Sequence, residues 1–188
     1  MLDLIYQDGY VPFIGHKEPG SETVPVVESN GMVVASACRS FCHQGGDKPL
    51  HPVVRLYLIN RKGNVYVQRR SSYKTDYPLY WDCSAAGHVS FGESLPEALF
   101  REASEEIGLV DFHPVFLKSY VWESEKEREL VAVFATVGDF NPDPDNYEVA
   151  DGRFKPADEL LDMMATEKFA PEFVEEYPLI KDSLLSLL

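Results

Sequence analysis

A chain of 188 residues, 45% hydrophobic and 26% charged, has room for one globular domain with a real core and a small appendage, and is neither disordered nor of low complexity. Its formal net charge of −14 argues against nucleic acid and anionic membrane as partners. It does not argue against a small phosphorylated substrate, because metal ions supply local positive charge. The cysteines, Cys38, Cys42 and Cys83, are odd in number with no C-x-x-C spacing, which fits a reducing cytoplasm better than a disulfide framework. The N-terminus has neither a basic nor an apolar signal region, and no window approaches the length of a membrane span.

Residues 1–24 hold Gly, Pro and polar residues with scattered apolar ones, and their pattern leaves their structure open. The run from Val24 to Ser36 reads as a β-hairpin around Ser29-Asn30-Gly31. Residues 52–58 and 64–69 read as a second hairpin around Arg61-Lys62-Gly63-Asn64, burying Val53, Leu56, Leu58, Val65 and Val67. Ser71 to Pro78 is a loop, and residues 81–89 carry one short strand. Strands follow near 114–121 and 129–137, the second being the strongest continuous strand signal in the chain. Asn141 to Asn146 is a turn-rich loop, and helices are expected near 156–167 and 171–187, the latter started by Pro171. Strands interrupted and followed by helices imply a mixed sheet between helical layers.

Between these elements, residues 87–108 carry the pattern G-x5-E-x7-R-E-x-x-E-E-x-G, with Gly87, Glu93, Arg101, Glu102, Glu105, Glu106 and Gly108 as its fixed points. At roughly 6% usage per residue type, a chance match is on the order of 10⁻⁹ per start position. Ser94-Leu-Pro-Glu97 is a capping box with proline in the first turn, and Gly108 suits the position just past a helix end, so a helix is expected over 95–107. Leu95, Ala98, Leu99, Ala103 and Ile107 form its buried side. Glu102, Glu105 and Glu106, at i, i+3 and i+4, share a face. Three like charges there repel unless a counter-charge is present, and clustered hard oxygens suit Mg²⁺ or Mn²⁺. Arg101, four residues before Glu105, is placed to orient it.

This stretch resembles the Nudix box, and the chain is identified on it as resembling the Nudix hydrolase superfamily. The resemblance implies an α/β/α sandwich with a mixed β-sheet, made by residues 49–188, with residues 1–48 as an N-terminal β-hairpin extension. It also implies a metal-dependent hydrolase in which water attacks a phosphorus of a nucleoside diphosphate linked to a group X. Glu102, Glu105 and Glu106 then hold Mg²⁺ or Mn²⁺, with the Gly87 carbonyl as a further ligand. Arg101 and Glu93 complete the catalytic set by supporting its geometry. One of the three glutamates, or Glu127, Glu129 or Glu148, serves as general base. The expected partner is a small-molecule diphosphate, in the cytoplasm, without nucleic acid or membrane. The oligomeric state stays open, a homodimer being one form.

Residues 28–160 are further similar to the isopentenyl-diphosphate isomerase-like branch of that superfamily. The similarity runs through Asn30-Gly31, Arg39 to His43, Leu50-His51, Gln68-Arg69-Arg70 with Lys74, Trp81 to His88, Glu127-Arg128-Glu129, and Glu148 to Phe154. It implies a second divalent metal on His43, His51, His88, Glu127 and Glu129, and phosphate-gripping groups at Arg39, Arg70 and Lys74. Imidazole with carboxylate suits Zn²⁺, Mn²⁺ or Fe²⁺. The isomerases carry their catalytic cysteine immediately before the box glycine, where this chain has Ala86, with Cys83 three residues earlier. They also replace the residues at the positions of Glu102 and Glu105, both present here. Protonating an alkene needs a positioned acid, which Ala86 lacks, whereas the intact carboxylate set suits hydrolysis. A hydrolase on an isomerase-like frame is therefore expected. The alternatives are an isomerase, and a non-catalytic ligand-sensing domain.

Overall fold

The structure is a computed structural model that describes every residue except Met1, Lys17, Pro19, Gly45 and Asn146. The last of these closes the expected 141–146 loop and so lies outside the described residues. In chain order the elements are β1 (Phe13–Ile14), β2 (Thr23–Val27), β3 (Val33–Cys38), α1 (Arg39–Cys42), β4 (His51–Ile59), β5 (Asn64–Arg70), β6 (Trp81–Asp82) and β7 (Ala85–His88). They continue with α2 (Leu95–Ile107), β8 (Val115–Glu123), β9 (Arg128–Val137), β10 (Val149–Pro156), α3 (Ala157–Thr166) and α4 (Pro171–Leu185). The architecture is an α/β/α sandwich with mixed β-sheet. A seven-stranded sheet has the order β10-β5-β4-β9-β8, with β6 on β5 and β7 on β4, and a three-stranded sheet has the order β1-β3-β2. No helix among the described residues is long and apolar enough to cross a membrane.

The chain divides into two compact units. The first comprises Met1–Val54, Gly87–Leu99 and Lys118–Ala132, and the second Arg55–Ala86, Phe100–Leu117 and Val133–Leu188. In the first, β2 and β3 form the expected antiparallel hairpin, with Val24 opposite Ala37 and Val26 opposite Ala35. Gly31, at φ +87°, makes the turn, where Asn30 Oδ1 accepts the Met32 amide. An added Cβ at Gly31 would lie 2.1 Å from the Asp3 carbonyl oxygen, so only glycine fits. The alternate residues Val24, Val26, Ala35 and Ala37 pack with Cys42, Ile14 and Phe41 into a small core. Residues 1–24, whose pattern left their structure open, contribute β1, whose two residues pair parallel to β3.

In the second unit β5 lies between β10 and β6, both antiparallel to it. The turn from β4 to β5 is held by Asn60 Oδ1, which accepts the amides of Lys62 and Asn64 at 3.0 Å each. Phe173 and Tyr177 of α4 stack with centroids 5.2 Å apart, and Tyr57 of β4 packs against both. Buried among them, Arg55 donates to Asp82 at 2.6 Å and to Glu176 at 2.9 Å, and the Tyr57 hydroxyl donates to Glu176. The single strand expected over 81–89 is two short ones. Asp82 accepts the Cys83 amide and Ser84 Oγ donates to the Tyr66 carbonyl, which breaks the run. Strand β10 was not anticipated, because its charges and glycine hide the period-2 pattern.

Helix α2 spans the expected residues. Ser94 and Glu97 bond reciprocally: the Ser94 amide reaches Glu97 Oε2 at 2.8 Å and the Glu97 amide reaches Ser94 Oγ at 3.4 Å. Gly108, at φ +64°, ends the helix, and its amide returns to the Ser104 carbonyl. Leu95, Ala98, Leu99, Ala103 and Ile107 are buried, as the spacing predicted.

Candidate active site and metal centre

The buried side of α2 fixes the direction of its acidic side. Glu106 is 3% exposed, and its Oε2 accepts the Gln68 side-chain amide at 2.9 Å and the Ala86 backbone amide at 3.0 Å. Its Oε1 lies 3.7 Å from Lys74 Nζ, and Lys74 also pairs with Glu148. Arg101 Nη1 bonds Glu102 at 2.6 Å and Glu105 at 3.3 Å, so it orients two glutamates rather than one. Burial pushes the Glu102 carboxyl up to about 8, with Glu106 adding repulsion and Arg101 opposing. Burial likewise pushes Glu106 up to about 7, against the pull of Lys74 and the two amide donors. Glu105, with a side chain 61% exposed, stands at the rim.

Buried carboxylates crowded on one helix face, whose ionised forms are disfavoured by burial and by one another, form an oxygen-rich donor set that fits a hard divalent cation. Gln68 was not anticipated as part of this site. The period of β5 places it on the face opposite Arg69, and its Oε1 is buried with no hydrogen-bond partner among the described residues. Arg70 and Lys74 separate in role: Lys74 meets the glutamates, whereas the Arg70 guanidinium is held by Asp82 at 3.4 Å and by the Asp76 carbonyl at 3.1 Å. Cys83 is fully buried and its thiol donates to the Ala85 carbonyl at 3.3 Å. Burial raises that thiol well above its ordinary range.

The first unit holds the histidines. His43 follows α1, His51 begins β4, His88 ends β7, and Glu127 immediately precedes β9. The three rings have centroids 5.1, 4.9 and 5.2 Å apart. One ligand atom from each of His43, His51, His88 and Glu127 lies within 4.8 Å of the others. Glu129 stands beside this group, 3.7 Å from His88 Nε2. His51 Nδ1 bonds the Pro49 carbonyl at 2.9 Å, which leaves Nε2 as the buried lone-pair nitrogen, with no hydrogen-bond partner among the described residues. Glu127 Oε2 is likewise buried without a well-formed hydrogen bond, although His43 Nδ1 lies against it. Burial pulls His51 down to about 4, so its ring is neutral, the form that binds metal. Imidazole nitrogens and a carboxylate converging on one point, with the His51 Nε2 lone pair turned to it, fit a borderline divalent ion.

Arg39, on the short helix before His43, adds a positive charge that acts on His51, and Glu93 lies in the loop before α2. Arg39 is half-exposed, 3.7 Å from Glu22, and Glu93 accepts the Ser90 amide at 3.0 Å in the loop that enters α2. Gly87 directly follows Ala86, the residue whose amide meets Glu106.

Residues 49–177 match the family model of the NUDIX domain. Isopentenyl-diphosphate Delta-isomerase 1 of Photorhabdus laumondii is 32% identical over 139 residues, covering 71% of this chain and 78% of that protein. An uncharacterised Nudix hydrolase of Listeria monocytogenes is 33% identical over 127 residues, covering 66% of this chain and 74% of that protein. Among solved structures, Deinococcus radiodurans DR0079 superposes with a TM-score of 0.73 at 24% identity, covering 84% of this chain and 98% of that one. The NUDIX domain of Shewanella oneidensis NrtR, solved with ADP ribose, gives a TM-score of 0.59 at 16% identity, covering 73% and 88%. The chain therefore belongs to the Nudix family, as a Nudix-type pyrophosphate hydrolase.

Proposed function

We propose that the protein hydrolyses the diphosphate linkage of a small molecule in which a nucleoside diphosphate is joined to a second group. The observation that carries this reading is Glu106: a buried carboxylate held by Gln68, the Ala86 amide and Lys74, beside Glu102 on the same helix face. A divalent cation, Mg²⁺ or Mn²⁺, held there by Glu102, Glu105 and Glu106, supplies charge neutralisation and water activation when bound. The chain's own residues do the rest. Arg101 fixes Glu102 and Glu105, and Gln68 with the Ala86 amide fixes Glu106, so the donor set is preorganised. Lys74 contributes positive charge for phosphate oxygens. Glu148, which shares Lys74 with Glu106, takes the proton from the attacking water as general base.

We further propose that His43, His51, His88 and Glu127, with Glu129 beside them, hold a second divalent ion. Its test is metal analysis of purified protein: His51→Ala and His88→Ala each lose one equivalent of bound metal, and equal content in the wild type and both variants would contradict the site.

Isomerisation is disfavoured by the same geometry. Ala86 offers no acid, and the thiol of Cys83 is buried and engaged with a backbone carbonyl. The substrate class is tested by incubating the protein with Mg²⁺ or Mn²⁺ and a panel of diphosphates, and following phosphate release after phosphatase coupling. The panel includes ADP-ribose, dinucleoside diphosphates, nucleoside triphosphates and isoprenoid diphosphates. Turnover of a nucleoside diphosphate conjugate supports the reading, and turnover of none of them would overturn it.

A further inference from the structure

The second unit contains a cleft of about 470 Å³ lined by Arg69, Tyr80, Trp81, Arg153, Glu167 and Lys168, with Pro78, Leu79 and Thr166 at its edge. It lies away from the glutamate face of β5. Cross-strand partners share a face. The register Arg69↔Trp81 and Arg153↔Val67 puts Arg69, Trp81 and Arg153 on one face, whereas Gln68, which holds Glu106, pairs with Asp82 on the other.

Three cations meeting in one cleft are unexpected in a chain of net charge −14. Among the described residues, neither Arg69 nor Lys168 has a carboxylate within ion-pairing distance. The Arg69 Nε donates to the Leu79 carbonyl at 3.0 Å, and Lys168 Nζ lies 5.6 Å from the Tyr80 ring centre. Arg153 lies over Trp81 at 4.2 Å, and its carboxylate neighbour, Asp151, is 3.6 Å away in an exposed pair. Glu167, the acid in the lining, accepts the Trp81 indole N–H at 2.7 Å.

The cleft is built rather than incidental. The Trp81 backbone is clamped to the 168–170 segment from both sides, its amide to the Lys168 carbonyl and its carbonyl to the Ala170 amide. At its edge, Leu79 holds a φ of +64°, which a side chain adopts at a cost and keeps only when its surroundings fix it. Because cations already lie over both rings, the cleft presents charge rather than an open stacking face.

We propose that this cleft is a second anion site, separate from the glutamate site, that binds a compact phosphate-type anion such as inorganic diphosphate or the phosphates of a nucleotide. Guanidinium and ammonium donors that outnumber the acids beside them, Glu167 held by the Trp81 indole and Asp151 in an exposed pair with Arg153, match phosphate oxygens.

The test uses the full chain in EDTA, so that no metal bridges a ligand to the glutamates. Inorganic diphosphate, inorganic phosphate and AMP are titrated separately by calorimetry, with the Trp81 indole N–H followed by NMR and assigned against Trp122→Phe. The expected result is saturable binding of inorganic diphosphate, at least as tight as that of AMP, with the Trp81 signal moving. Arg153→Gln and Lys168→Gln, both at exposed positions, each weaken it roughly tenfold. Lys74→Gln leaves it unchanged. The proposal is overturned if inorganic diphosphate does not bind, if AMP binds and inorganic diphosphate does not, or if Lys74→Gln abolishes binding while the cleft variants retain it. Binding without metal is independent of turnover, so this result and the hydrolase assay fail separately.

Discussion

Glu102, Glu105 and Glu106 are equivalent in the sequence pattern and unequal in the structure. Glu106 is buried and triply held, Glu102 is mostly buried, and Glu105 is exposed with Arg101 as its partner. Mn²⁺ affinity measured by calorimetry is therefore expected to fall by at least roughly tenfold in Glu106→Gln and Glu102→Gln, and by less in Glu105→Gln. Equal losses at all three would contradict this ranking. A pH effect arises away from the site, at Asp82. Burial alone would raise its pKa, but Arg55 and Arg70 overcome that and hold it below the ordinary carboxylate range. A lowered folded-state pKa contributes stability that is present above the unfolded pKa of about 3.9. That contribution is lost as pH falls through the lower folded value. Urea midpoints between pH 6 and 2 are expected to fall in the wild type more steeply than in Asp82→Asn. That variant should be less stable at neutral pH by about 3–5 kcal/mol, because Arg55 loses a buried partner. Parallel pH profiles would contradict the role assigned to Asp82.

The elements show what the sequence makes legible and what it hides. Helix α2 was readable to the residue, because its capping box, terminal glycine and apolar spacing are all local signals. Both hairpins were readable for the same reason, having turn residues between β-rich runs. Strand β10 was not, since its identity comes from pairing with β5 and not from its own pattern. Gly152 shows why. It pairs with Gln68, and a Cβ there would lie 1.8 Å from the Tyr66 hydroxyl and 2.3 Å from Cζ of the same buried ring. Gly152→Ala is expected to lower stability by about 1–3 kcal/mol, read from chemical denaturation, because Tyr66 must move within a packed core. An unchanged midpoint would mean that the ring relocates freely. Gln68 belongs to the same lesson: β5 alternation placed it on a face, but only the approach of α2 gives its amide a carboxylate to hold.

The family pattern implies two groups, and each is gathered within one compact unit: the histidines with Glu127 in the first, the box glutamates with Lys74 in the second. Nothing local in the sequence could bring His43, His51, His88 and Glu127 together. The ordered resemblance to the isomerases anticipated that set. Resemblance alone could not separate isomerase from hydrolase, and there single residues decide. With Ala86 at the cysteine position and Cys83 sealed in the interior, purified protein is expected to show no useful interconversion of isopentenyl and dimethylallyl diphosphate. Isomerisation seen by product analysis would mean that another group supplies the proton.

We propose that the buried glutamates of α2 carry diphosphate hydrolysis. The most direct test compares the turnover of wild type and Glu106→Gln on a nucleoside diphosphate conjugate at saturating Mg²⁺ or Mn²⁺, with folding of the variant verified by its thermal transition. The expected result is a kcat reduced by roughly 10²–10³-fold in a folded protein. A wild-type-like rate from folded Glu106→Gln would contradict the assignment.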